Sequence, residues 1–169
     1  MNPAARHELG SGWRLHEALA MEQAELAAGR LPAVMPRDGW IEAQAPGTVL
    51  GALVRAGRIA DLPGAASAPA IAAAENAAWW MHLAFTPPNG WAGDADAPDR
   101  RIELVLDGLS PFATILLNGK HLGEHQSQFF PFRADLRGLL KDGPNHLHVL
   151  FQPEVPRLLA LARPHGARS

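Results

Sequence analysis

The dipeptide Asn118-Gly119 separates two apolar runs, and this feature constrains the fold of the chain more than any other. It lies within "LDGLSPFATILLNGKHLG", residues 106–123. A two-residue β-hairpin turn of type I′ requires positive φ at both central residues, a conformation that Asn tolerates and Gly adopts at little cost. We therefore predict a hairpin with Phe112–Leu117 as its first strand and Lys120–Gly123 as the start of its second strand.

Turn-forming residues divide the rest of the chain into short segments. The 169 residues include 16 glycines and 15 prolines, a pattern typical of an all-β sandwich or barrel. With 47% hydrophobic and 19% charged residues, the chain has the composition of a globular domain that buries one core. We predict a sandwich domain over residues 13–153, an N-terminal arm over 1–12 and a C-terminal tail over 154–169.

The segment "HLHVLF", residues 146–151, alternates as a strand with two different faces does. The odd-numbered positions from Leu147 to Phe151 would face one side, and His146, His148 and Leu150 the other. Further strands are predicted at 13–15, 40–43, 79–85 and 101–106, with an extended segment at 129–133.

Helix signals are fewer and shorter. Residues 48–57 begin with Thr48, a good N-cap, and end at Gly57, where a C-terminal glycine belongs. The other expected helical segments are 17–28, one turn at 71–75 inside a surface loop at 61–78, and a short helix in the tail. The chain as a whole reads as a mostly antiparallel β-sandwich with two or three short peripheral helices.

Composition also excludes several classes of function. The net charge is −2 without a basic cluster, so we expect no nucleic-acid partner. No apolar run reaches about 18 residues, which argues against a membrane span. There are no cysteines, which excludes disulfides and thiolate metal sites. The N-terminus lacks a secretory pattern, so a cytoplasmic location is the default expectation.

An ordered set of motifs resembles the N-terminal sugar-binding domain of glycoside hydrolase family 2, in particular its β-mannosidase branch. The motifs are Trp40 with "APGTV" (45–49), Trp79-Trp80, "LVLDGLSPFATILLNGKHLGEH" (104–125), "FFPFRADLRGLL" (129–140) and "GPNHLHVLF" (143–151). The resemblance covers roughly Trp13 to Phe151 and implies a jelly-roll sandwich of the galactose-binding-like type. Three positions depart from the family pattern: the family commonly has His at the position of Leu50, and Tyr-Arg where this chain has Met81-His82.

The resemblance also implies what the chain lacks. Family members continue into an immunoglobulin-like domain and a (β/α)₈ barrel that carries two catalytic glutamates, and nothing after Pro153 matches that continuation. We therefore expect a tail truncated relative to the family, a non-catalytic domain that is inactive alone, and no cofactor. A free-standing carbohydrate-binding module, or an interaction domain that docks to a separate barrel chain, are the alternatives.

No catalytic residue is predicted within the chain. Retaining glycoside hydrolysis requires two carboxylates about 5 Å apart, and nothing in the sequence places any of the 17 acidic residues in such a pair. Four histidines, His121, His125, His146 and His148, fall in one predicted sheet. Because no carboxylate motif accompanies them, we predict no metal site.

Three tryptophans are candidates for carbohydrate contact, because an indole face suits the apolar face of a pyranose. Trp79 and Trp80 are neighbours on a strand and must point to opposite faces, so one belongs to the core and the other is the candidate. Trp91, in a loop rich in Gly and Asp, is the most exposed of the three. Core or interdomain packing is the alternative role for the strand pair. We expect carbohydrate binding to be weak.

The cluster Phe129, Phe130 and Phe132 is a candidate interdomain surface. We expect two of these rings to face the core and the third to contact an edge or the absent catalytic barrel domain. We also expect the strand at 146–151 to lack a neighbour on one side, which would favour self-association of the chain.

Overall fold

The computed structural model describes residues 5–19, 22, 25, 38–60, 67–92, 101–154 and 158. Within these residues the elements follow the order of an all-β domain with two helices inserted between its second and third strands. They are β1 (Arg14–Glu17), β2 (Ile41–Glu42), α1 (Val49–Arg55), α2 (Ala68–Asn76), β3 (Trp79–Phe85), β4 (Glu103–Leu106), β5 (Ala113–Leu117), β6 (Lys120–His125), β7 (Phe132–Asp135) and β8 (Asn145–Phe151).

The strands form two antiparallel sheets. One sheet has the order β2-β1-β3-β8-β5-β6, and the other pairs β4 with β7. The longest ladder joins β3 to β8, from Trp79 opposite Phe151 to Phe85 opposite Asn145. The predicted antiparallel β-sandwich with peripheral helices is therefore confirmed.

The predicted hairpin is present in the structure. Asn118 has a φ of 53° and Gly119 a φ of 81°, and Leu117 pairs with Lys120 across the turn. Phe112, predicted to begin the first strand, instead has a φ of 63° and precedes β5. A positive φ does not belong to an extended strand, so the chain enters β5 only at Ala113.

The large sheet has an apolar face on each side. Its inner face packs against the small sheet and the helices through residues that include Trp79, Leu147 and Val149. Its outer face carries a second buried cluster around Trp80, Leu116 and Leu150. The alternation along 146–151 thus separates two clusters, as predicted from its period of two.

Helix α1 follows its sequence signals. The Thr48 hydroxyl accepts a 3.0 Å hydrogen bond from the Gly51 amide, and Gly57 has a φ of 67° just after the helix. Helix α2 is longer than the single turn predicted, because its alanines favour helix and a proline in its first turn is tolerated. Its buried residue Ala74 joins the core.

The expectation that the strand at 146–151 lacks a neighbour is wrong. β8 lies between β3 and β5, so both of its edges are hydrogen-bonded, and the edges of the large sheet are β2 and β6. Of the helix predicted at 17–28, Glu17 belongs to β1, whereas Glu22 and Glu25 are helical. In the tail, Glu154 and Leu158 are helical, and most other positions of the two segments lie outside the described residues. Among the described residues no helix has the length and apolarity needed to cross a membrane.

Candidate functional site

A groove of about 1880 Å³ opens between the two sheets. One wall is the inner face of β3, through Met81 and Phe85, and the opposite wall is β4 with the segment 107–111. The rim is formed by the arm at 5–10, the loop at 44–48 and the start of α1. We call this feature the inter-sheet groove. Concave surfaces with mixed apolar and polar lining are where small ligands bind most often.

Trp91 lines the inter-sheet groove and is half-buried. Its backbone amide donates to the Pro88 carbonyl at 3.0 Å, which fixes the turn after β3. Its ring meets the imidazole of His7 edge-on, with 6.4 Å between centroids. Of the three tryptophans proposed for carbohydrate contact, Trp91 is the one with partly exposed ring surface in a concave site.

Trp79 and Trp80 lie in the core, which is the packing role named as the alternative to carbohydrate contact. Trp79 keeps 7% of its surface exposed, and its Nε1 donates to the Ala74 carbonyl at 2.8 Å. Trp80 is fully buried and packs in the outer-face cluster. The two rings point to opposite faces, as the strand period requires, but both faces are covered here. Packing is therefore what the structure shows for both residues.

The groove lining includes a set of ion pairs centred on Glu103. Glu103 accepts hydrogen bonds from Arg101 at 3.1 Å and from Arg133 at 2.8 Å. At the far end, the Ser110 hydroxyl donates to Glu154 at 2.6 Å. The two arginines fix the position of the Glu103 carboxylate at the groove surface. The acidic residues at 94, 96 and 99 lie outside the described residues.

At the end of β7, the guanidinium of Arg137, two residues further along the chain, holds the pKa of Asp135 below its usual value through a hydrogen bond at 2.8 Å. A general acid of a glycosidase needs the opposite shift, towards a raised pKa. Asp135 therefore lacks the environment of an acid catalyst.

The phenylalanine cluster is arranged differently from the prediction. One ring of the three is buried, not two. Phe132 is 8% exposed, whereas Phe129 and Phe130 are 81% and 72% exposed. Phe132 begins β7 and packs against Gly123 and the edge of His125, while the other two lie in the preceding loop. That loop also supplies Gln128 to the groove lining, so the exposed pair lies next to the groove.

The four histidines lie in one sheet, as predicted, but they do not form one cluster. His125 is buried beside Phe132, and His121 is exposed on β6. His146 and His148 instead meet His82 of β3, a residue that the sequence analysis named only as a departure from the family pattern. The pairing of β3 with β8 would have revealed it, but a single sequence gives no register between distant strands. Within the described ranges, no three His, Asp, Glu or Cys side chains are arranged to hold a metal ion.

Known glycoside hydrolases match part of this chain in sequence. The canine β-glucuronidase is 32% identical over 65 residues, which cover 38% of this chain and 10% of that protein. β-Mannosidase B of Thermothelomyces thermophilus is 34% identical over 65 residues, covering 38% of this chain and 8% of that protein. The chain thus matches about a tenth of the length of these relatives.

A solved structure extends the likeness to nearly the whole chain. The β-D-mannosidase of Dictyoglomus thermophilum superposes with a TM-score of 0.70 and 22% identity, covering 92% of this chain and 16% of that one. The family model described as "Glycosyl hydrolase 2 galactose-binding domain-like" matches residues 13–169. The resemblance inferred from the ordered motifs is confirmed, and the chain belongs to the glycosyl hydrolase 2 galactose-binding domain-like family.

Proposed function

We propose that this chain acts as the non-catalytic N-terminal β-sandwich domain of a β-mannosidase-like glycoside hydrolase, inactive alone. The observation that carries the proposal is the asymmetry of the structural match, which covers 92% of this chain but 16% of the mannosidase chain. A domain that accounts for so small a share of the mannosidase chain is one part of a larger protein. Its role in carbohydrate metabolism is then to support a catalytic domain.

The exposed pair Phe129 and Phe130 is the proposed contact with that catalytic domain. Two adjacent aromatic side chains, 81% and 72% exposed, are unusual on a free surface. Covering a large apolar side chain contributes about 1.5–3 kcal/mol, so the pair can anchor an interface. Because this pair lies beside the inter-sheet groove, a catalytic domain bound to it would face the groove.

The groove supports a second candidate function, a carbohydrate-binding module. Trp91 presents a half-buried ring in the groove, and the Arg101–Glu103–Arg133 ion pairs supply polar groups near the same surface. Stacking on one indole with a few hydrogen bonds gives weak sugar affinity. This candidate needs no catalytic partner.

The experiment begins with the purified chain and aryl β-mannoside, β-galactoside and β-glucuronide substrates. We expect no hydrolysis above the uncatalysed rate. Turnover that is abolished by a single Glu or Asp substitution in this chain would contradict the proposal.

A reconstitution then tests the interdomain role. A β-mannosidase barrel expressed without its own N-terminal domain is mixed with the chain, and binding and activity are measured. We expect a complex that the double variant Phe129→Ser/Phe130→Ser weakens by about tenfold or more. Leu19→Ser, which changes another exposed apolar side chain, is the matched control. Glycan binding without any barrel complex would favour the carbohydrate-binding module.

A further inference from the structure

Three histidines meet on the outer face of the large sheet. His82 of β3 lies opposite His148 of β8, and His146 is two residues away on the same face. The Nε2 atom of His82 is 3.1 Å from Nδ1 of His146. The ring of His148 stacks on that of His82, with centroids 4.5 Å apart and planes inclined by 20°. We call these residues the histidine triad.

The contact between His82 and His146 is a hydrogen bond that depends on protonation. Their ring centroids are 5.3 Å apart, close to the nitrogen–nitrogen distance plus the two ring radii, so the nitrogens face each other. In such a pair one nitrogen donates and the other accepts. One added proton leaves a charge-assisted hydrogen bond in place. A second proton sets N–H against N–H and removes the bond.

Stacking adds a second constraint on charge. His148 lies over His82 at a distance where two imidazolium rings would repel strongly in a partly dry environment. Burial, then the neighbouring His82 and His146, lower the pKa of His148 to about 4. Burial, then His146 and Arg14, lower the pKa of His82. The Nδ1 atom of His148 is buried without a hydrogen-bond partner in the described structure.

Among the described residues, the groups that face the triad come from the adjacent strands and supply little negative charge close to it. On β1, Arg14 lies opposite His82 and adds a positive charge, and the carboxylate in the same row, Glu42 of β2, lies beyond Arg14. Other neighbours are His16 of β1, Leu116 of β5, which lies opposite His148, and His121 of β6, which lies opposite Leu116. The Trp40 ring is 5.5 Å from the His82 ring, and the Trp80 ring is 6.3 Å from the His148 ring.

The reverse side of the same strands is a wall of the inter-sheet groove. Met81 precedes His82 and pairs with Val149, which follows His148, and both side chains line the groove. A change in the spacing between β3 and β8 on the outer face would therefore also change the positions of Met81 and Val149 in the groove wall.

We propose that the histidine triad is an acid-sensitive contact between β3 and β8, closed while it carries at most one proton and opened by the second. Opening loosens the outer face around Trp40 and Trp80 and relaxes the groove wall formed by Met81 and Val149. Acid pH then weakens any ligand or domain contact that this wall supports.

The test uses the full chain. Tryptophan emission and acrylamide quenching are followed from about pH 8 to about pH 4.5, a range that spans the ordinary pKa of histidine. We expect a reversible rise in quenching below about pH 6 while the far-ultraviolet circular dichroism stays native-like. His82→Gln, which removes the central ring, should reduce this change to about half or less. His121→Asn, on the same sheet face, should keep the wild-type response.

Histidine NMR of the wild-type chain covers the case in which His82→Gln does not fold. An N–H···N coupling between His82 and His146 at neutral pH, lost on the second protonation, supports the proposal. Independent titration of the three rings without that coupling overturns it. Unchanged quenching between about pH 8 and about pH 4.5, or a His82→Gln variant with the full wild-type response, overturns it as well.

Discussion

Asn118 Nδ2 donates a hydrogen bond of 2.8 Å to the buried Oδ1 of Asn145, and this contact joins the two turns at one end of the sandwich. Asn118 is the first residue of the β5–β6 turn, whereas Asn145 begins β8. The same Asn118 side chain accepts from the His146 amide at 3.0 Å. The Asn118 side chain therefore links the β5–β6 turn to the first residues of β8.

Asn145 is the more critical partner. It is fully buried, and its amide bonds to Asn118, to both the amide and the carbonyl of Lys141, and to the Gly143 carbonyl. We predict that Asn145→Ala lowers the free energy of unfolding by about 2–4 kcal/mol, because several buried polar groups lose their partners together. Urea unfolding measures this change. Asn145→Asp, which keeps the acceptor and loses the donor, should also destabilise, and a loss below about 0.5 kcal/mol for Asn145→Ala would contradict the network's role.

The hairpin turn gives a second prediction. A side chain at Gly119 would meet open space, with no atom within 4 Å of the position that its Cβ would take, so any cost of substitution is conformational. Gly119→Val should destabilise the domain by more than about 1 kcal/mol, since a β-branched residue resists the observed φ of 81°. Gly119→Asn, which tolerates positive φ, is the matched control and should lose less. Equal thermal stability of the two variants would argue that the backbone angle is not the cause.

The third prediction concerns Trp91, whose replacement should affect ligand binding but not folding stability. Its ring is half-buried at the surface of the inter-sheet groove, unlike the core rings of Trp79 and Trp80. We predict that Trp91→Ala abolishes any binding of mannose-containing oligosaccharides, measured by calorimetry, and leaves the melting temperature nearly unchanged. Trp80→Phe provides the contrast, because it should lower the melting temperature and spare binding. A large thermal effect of Trp91→Ala would instead assign that ring to packing.

Local signals in the sequence are enough for the turns and for the faces of the strands. The conformational needs of Asn118-Gly119, the cap at Thr48 and the alternation along 146–151 depend on neighbouring residues, and each is present in the structure. Helix α2 is longer than predicted. A proline usually argues against helix, which shortens the prediction, but the first turn of a helix tolerates it.

Features that depend on which strands pair cannot be read in the same way. The central position of β8 and the meeting of His82 with His146 and His148 follow from long-range register. The outward direction of Phe129 and Phe130 follows from the point where β7 begins, at Phe132. Hydrophobicity alone favours burying all three rings, so the sequence pattern could not identify the exposed pair.

The final prediction concerns the pH dependence of stability. His148 has a pKa lowered to about 4, mainly by burial, whereas an unfolded histidine titrates near 6.5. As the pH falls through about 6.5 the unfolded state gains a proton that the folded state does not bind, so the free energy of unfolding decreases until the folded-state pKa is reached. Because His148 is partly exposed, we expect the loss between about pH 7.5 and about pH 4.5 to be about 1–2 kcal/mol.

Replacing the ring removes this dependence. Leu116 lies opposite His148 on β5, so a leucine at position 148 would meet an apolar neighbour. We predict that His148→Leu gains stability relative to wild type as the pH is lowered, with the difference largest near about pH 5, because the variant has no proton to gain on unfolding. Urea unfolding at a series of pH values measures the difference, and His7→Leu, on the N-terminal arm, is the control. A stability difference that stays constant from about pH 7.5 to about pH 4.5 would show that His148 titrates alike in the folded and unfolded chain.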